Sequence, residues 1–150
     1  MFERSLVMFV FSLVAANSAH ADPWKSTAGV SCQSSSPHDG GIRSARAIEL
    51  TKPMKVYRLW GGSSTKLGGF WTNKRYSKSD STRAKLGICA EWPDGAESPM
   101  DHSTTCTAPV GTRMCRGTTR TVKCGGGTIY KSNSNYQLFI PGPERSKLKC

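Results

Sequence analysis

The chain of 150 residues is short of several things. It has no internal repeat, which excludes solenoids and propellers. It has no apolar run of about 18 residues or more beyond its N-terminus, so no transmembrane helix is expected in the remainder. It has no Cys-x-x-Cys pair and only 3 His, scattered along the chain, one of them in the N-terminal segment. That spacing gives no reason to expect a metal. It is also poor in acid, with 10 Asp+Glu against 21 Lys+Arg, for a net charge of +11. At 37% hydrophobic residues, with 6 Cys, it is too apolar and too Cys-rich for a disordered tail. Its length suits one domain.

Met1 to Ser5 form a short polar start containing Arg4, and Leu6 to Ala16 are apolar except for Ser12. Ala19-His20-Ala21 then supply small residues at the −3 and −1 positions of a cleavage site. This is the layout of a secretory signal peptide over residues 1–21, with a mature domain over 22–150. Removing the segment takes one Glu and one Arg, so the net charge stays at +11. All six cysteines (Cys32, Cys89, Cys106, Cys115, Cys124 and Cys150) lie in the mature part, and an even count in an exported chain implies three disulfides whose pairing the sequence leaves open. The expected location is secreted or periplasmic.

Residues 22–41 are rich in Ser, Gly and Pro and read as a loop-like lead-in pinned by Cys32. Ile42 to Leu50 has an ambiguous period, helix or strand, and Pro53 ends it. Met54 to Trp60 reads as a strand stopped by Gly61-Gly62, and Gly68 to Thr72 as a second short one. Ser79 to Thr82 supply helix N-cap residues, and Arg83 to Trp92 can follow as a helix weakened by Gly87. Residues 93–111 read as a long loop. Short strands are expected over 113–116, 120–124, 128–131 and 136–140, before a basic tail over 144–150. In the last strand Gln137 and Phe139 face opposite to Tyr136, Leu138 and Ile140. The expected fold is a small, disulfide-stapled, mostly β domain of the α+β class, with one or two helices.

Arg58 shares a strand face with Met54, Val56 and Trp60. An arginine on an apolar face either snorkels to the edge or holds an anion. Glycines follow at 61–62 and 68–69, where the backbone can turn or be approached closely. With these residues in view, Val56-Tyr57-Arg58-Leu59-Trp60-Gly61-Gly62 followed by Gly68-Gly69-Phe70-Trp71-Thr72 resembles the opening of ADP-ribosyltransferase-like toxin domains. The likeness is nearest to small polymorphic-toxin domains with a Tyr-Arg-X-Trp-Gly strand, whose relatives include NAD glycohydrolases that use Gln late in the chain. It covers residues 56–72, with a weaker echo at Gly125–Tyr130 and Tyr136–Pro141.

The resemblance implies an ADP-ribosyltransferase-like fold and NAD as the substrate. Arg58 would pair with the NAD pyrophosphate in fork geometry. Gly61 and Gly62 would let the nicotinamide side approach the backbone. Phe70 or Trp71 would stack on nicotinamide, and Thr72 would brace the site. Gln137 would hydrogen-bond the nicotinamide ribose as the glycosidic bond opens. The chain carries no Glu-x-Glu or Gln-x-Glu, which leaves NAD hydrolysis, transfer to an acceptor other than a protein side chain, or no catalysis ahead of protein modification, with Glu91 and Glu144 as fallback carboxylates.

Two other classes fit the composition. A secreted ribonuclease would use His38 and His102 with lysines and arginines on the phosphate. A non-catalytic basic protein would bind nucleic acid, lipopolysaccharide or acidic glycan through Arg113, Arg116, Arg120 and Lys123, and through Lys74, Arg75, Lys78, Arg83 and Lys85. A lysozyme-like hydrolase is disfavoured, because no two of its acids share a motif.

Secreted protein should begin at Asp22, and its native mass should fall short of the reduced chain's by one hydrogen per cysteine. Intact-mass measurement before and after reduction checks this; free thiols or a retained Met1 would contradict it.

Overall fold

A computed structural model describes residues 21–32 and 41–150. The signal peptide expected over 1–21 lies outside the described residues except for Ala21, as does His38. The described chain is mostly strand: β1 (Trp24–Ser26), β2 (Ile42–Leu50), β3 (Met54–Trp60), β4 (Phe70–Trp71), β5 (His102–Ala108), β6 (Arg113–Thr119), β7 (Val122–Lys123), β8 (Ile129–Tyr130) and β9 (Tyr136–Phe139). Two short helices complete it, α1 (Asp80–Leu86) and α2 (Gly142–Arg145). Among the described residues no helix is long and apolar enough to cross a membrane.

Five strands form an antiparallel sheet in the order β1-β2-β6-β9-β4, while β3 pairs with β5 and β7 with β8. The larger sheet and the β3–β5 pair bury one core between them: Ile48 and Leu50, Met114, Trp71, Leu138 and Ile140 from the first, Met54, Val56, Cys106 and Ala108 from the second. The two meet where Tyr57 and Thr72 exchange backbone hydrogen bonds of 2.8 Å each. Period-two alternation sends Val56 inward at 0% exposure and leaves Lys55 outside.

Residues 42–50, ambiguous in sequence, are a strand. Its pairing with β6 slips between Arg43 and Arg46, where Ser44 takes a φ of 51°. Gly117 sits opposite this bulge; a Cβ there would lie 2.6 Å from the Arg43 carbonyl oxygen.

Three expectations are corrected. The lead-in is not all loop, because Trp24 pairs with Leu50 and packs on the core. The segment 93–111 is not all loop either: β5 runs through it and matches β3 from Met54–Ala108 to Trp60–His102. Its sequence looked loop-like because its inward positions are Thr104, Cys106 and Ala108, small residues that carry little hydrophobic signal. The helix does start at the expected cap, with Ser79 Oγ accepting from the Thr82 N–H at 3.3 Å. It stops at Leu86 rather than Trp92, because Gly87 turns left-handed (φ 61°) and the Ile88 N–H closes back on the Arg83 carbonyl at 3.0 Å. Arg83 is then buried, donating to the carbonyls of Cys89 (3.2 Å) and Pro99 (2.9 Å).

All six cysteines are paired: Cys32–Cys115, Cys89–Cys124 and Cys106–Cys150. These close loops of 83, 35 and 44 residues. Each removes denatured-state freedom worth about 4 kcal/mol in the chain-entropy picture. The second ties the turn after α1 to the stretch between β7 and β8. The Cys89→Ala/Cys124→Ala double variant should therefore lose about 2–4 kcal/mol of stability while keeping its strand signature. Denaturant midpoints read by far-ultraviolet circular dichroism check this, and an unchanged midpoint would contradict it.

Candidate functional site

A cavity of about 370 Å³ lies astride the junction of the two sheets. Its walls come from β3, β4 with Thr72, β5, β9, the stretch 75–78 and the end of α1. Five aromatic side chains contribute, Tyr57, Phe70, Trp71, Tyr76 and Trp92, with three cations, Arg58, Arg75 and Lys78. Among the described residues its lining holds no Asp or Glu. Flat apolar faces beside cations suit an anionic ligand that carries ring systems.

Arg58 reaches this cavity from the end of the β3 core face. Its Nε donates to the Thr65 carbonyl at 2.8 Å, Nη1 to the Phe70 carbonyl at 2.7 Å and Nη2 to Ser64 Oγ at 2.7 Å. The guanidinium therefore neither snorkels out nor stands free; it clamps residues 64–70 against β3. Gly68 packs so tightly on it that a Cβ there would collide with Nη2. All three acceptors are neutral, and Arg58 forms no ion pair among the described residues. Burial, and secondarily the charge of Arg145, pull its pKa down from the usual guanidinium range to about 10. It is still a cation at neutral pH, with a fourth and fifth N–H to offer. An anion in the cavity would balance a charge that has no carboxylate partner among the described residues.

Gln137 comes from β9 and is 5% exposed. Its Nε2 donates to the Leu86 carbonyl and to Thr119 Oγ1, both at 2.9 Å. The carbonyl can only accept, which settles which end of the carboxamide is nitrogen. Phe70 is half-buried and tilted against Phe139, with ring centres 5.4 Å apart. Thr72 is buried and its hydroxyl donates to the Lys74 carbonyl at 2.7 Å, holding the turn after β4.

The structure thus brings Arg58, Phe70, Trp71, Thr72 and Gln137 together around one cavity, although Gln137 is far from the others in sequence. Trp71 contributes mainly to the core: it is 1% exposed and its Nε1 donates to the Gly68 carbonyl at 2.8 Å. Of the two aromatic candidates, Phe70 is the one with a face to offer. Gly61 and Gly62 are not in the lining. They lie against residues 97–101, where a Cβ on Gly61 would strike Asp101 and one on Gly62 the Glu97 carbonyl, so their lack of a side chain serves packing between loops.

The fallback carboxylates are elsewhere. Glu91 is exposed beside Gly125. Glu144 accepts from the Arg113 N–H and from Lys147, each at 2.9 Å; burial pushes its pKa up, but these contacts and charges outweigh that and hold it below the usual carboxylate value. His102 is exposed, stacks on Trp60 at 4.4 Å and does not line the cavity. In the two basic stretches, Arg83 is buried, Arg113 is paired with Glu49 at 3.0 Å, and Arg116 lies over Trp24 and Tyr136. Arg75 and Lys78 are the members that reach the cavity. Tyr76 and Trp92 were not legible as site residues, since nothing in their local sequence separates a cavity wall from an ordinary aromatic. Among the described residues no cluster of His, Cys, Asp and Glu could hold a metal ion. No family model matches the chain, and neither does any curated protein or solved structure.

Arg58→Lys should destabilise the protein as well as alter the cavity, because an ammonium cannot span Thr65, Phe70 and Ser64 at once. A loss of about 1–3 kcal/mol and faster proteolytic nicking within 61–70 are expected. Thermal melts and limited proteolysis check this; a variant as stable and as resistant as wild type would contradict the clamp.

Proposed function

We propose that the mature protein is a secreted NAD-consuming enzyme of the ADP-ribosyltransferase-like type, acting as an NAD glycohydrolase. The observation that carries this reading is the convergence of Arg58, Phe70 and Gln137 on one aromatic-lined cavity whose lining, among the described residues, holds cations and no Asp or Glu. A dinucleotide with a central pyrophosphate and two flat bases matches that chemistry.

In this reading the free N–H groups of Arg58 hold the pyrophosphate, with Arg75 and Lys78 adding field. Phe70 packs on the nicotinamide ring. The bond between ribose C1′ and the nicotinamide nitrogen breaks, and its electron pair leaves with nicotinamide. Water then adds to C1′ and releases a proton, giving ADP-ribose. Gln137 Oε1 accepts from a ribose hydroxyl, a contact that strengthens as positive charge grows on the sugar. The lining offers no carboxylate among the described residues to activate a protein acceptor, which favours water over a protein or nucleic-acid side chain.

Oxidised mature protein should release nicotinamide from NAD. Gln137→Ala should lower kcat by about a hundredfold with a smaller change in KM. Chromatographic detection of nicotinamide, with calorimetry for binding, checks both. Absence of NAD binding by the wild type would overturn the reading and leave binding of anionic polymers as the function of the basic surface, tested by salt-dependent heparin retention.

A further inference from the structure

Gln137 is held by more than its strand. Thr119, at the end of β6, is 0% exposed, and its Oγ1 donates to the Lys85 carbonyl at 2.8 Å, with the Asn135 carbonyl also within 3.2 Å. A hydroxyl has one hydrogen, so with that hydrogen directed to a carbonyl its oxygen can only accept from Gln137 Nε2. The second amide hydrogen goes to Leu86, the last residue of α1. Leu86 is in turn fixed by the left-handed Gly87, where a Cβ would press within 3.4 Å of the Thr119 methyl, and by the Cys89–Cys124 bridge just beyond. Both hydrogens of the carboxamide are therefore used inside the protein, and a flip would set Oε1 against the Leu86 carbonyl oxygen. Oε1 has no partner among the described residues, and Gln137 lines the cavity.

We propose that Thr119 is the positioning residue for Gln137: with the Leu86 carbonyl it takes both amide hydrogens, so that position 137 presents to the cavity an acceptor alone and selects a ligand hydroxyl there. The kinetic part rests on the NAD-hydrolysing function proposed above; the orientation part does not. A glutamine free to rotate would offer donor and acceptor alternately, and would spend time in the unproductive orientation. A glutamate would place a second oxygen against Leu86, so this position is built for an amide.

Two measurements separate the claims. Side-chain amide exchange followed by NMR on the ligand-free protein needs no NAD. The two Gln137 Nε2 hydrogens should be distinct and should exchange about tenfold or more slower than those of an exposed glutamine. Thr119→Val should remove that protection, and Thr119→Ser, which keeps the hydroxyl, should restore it. In NAD hydrolysis, Thr119→Val should lower kcat by about tenfold or more with KM within about threefold, and Thr119→Ser should recover most of the loss. Unprotected hydrogens in the wild type overturn the proposal even if Thr119→Val fails to fold. So does a Thr119→Val variant with unchanged protection, or one whose loss lies in KM. Protected hydrogens in a protein that leaves NAD intact would uphold the orientation and overturn the function instead.

Discussion

The structure turns on a buried cation that, among the described residues, is held by neutral acceptors alone. Arg58 extends the apolar face of β3 past the core and uses three of its five N–H groups on two backbone carbonyls and a serine, which fixes the 64–70 loop over the end of the strand. That loop leads directly into β4, and β4 carries Phe70 and Trp71 to the seam between the sheets. The backbone exchange of Tyr57 with Thr72 then sets the spacing there. One side chain thus orders the segment that brings β4 to its place. Burial lowers its proton affinity, and the acceptors that build this wall are all neutral.

The disulfides support this arrangement from outside. Cys106–Cys150 ties β5 to the chain end, where Thr107 and Lys149 also exchange backbone bonds. Cys89–Cys124 fixes the turn that follows α1, and through Leu86 it stands behind Gln137. A domain with such short strands has limited core, and cross-links that restrict the denatured chain compensate for this. Their chemistry suits an oxidising compartment.

Several elements were legible in the residues. β3 announced itself by β-branched and aromatic residues in alternation with a glycine stop, β9 by its period of two, and α1 by Ser79. The Arg58-to-Thr72 stretch pointed to the site because an arginine at that position on an apolar face must find acceptors or an anion. β5 was hidden because small and polar residues fill its inward face, and the end of α1 because a Gly inside a helical pattern does not say whether it is tolerated or turns left-handed.

The sequence by itself determined the class: a basic, cysteine-rich, mostly β chain with the layout of an export signal and a candidate anion-holding arginine. Those properties depend on composition and on neighbours within a few positions. Only the tertiary structure decided which cysteines pair, that Gln137 stands with Arg58 and Phe70 around one cavity, and that Gly61 and Gly62 do not. It also decided which end of Gln137 is free, since that depends on a carbonyl 51 residues away and a hydroxyl 18 residues away. Contacts at such separations are fixed by how the sheets pack and where the strands register, and no local pattern of residues records them.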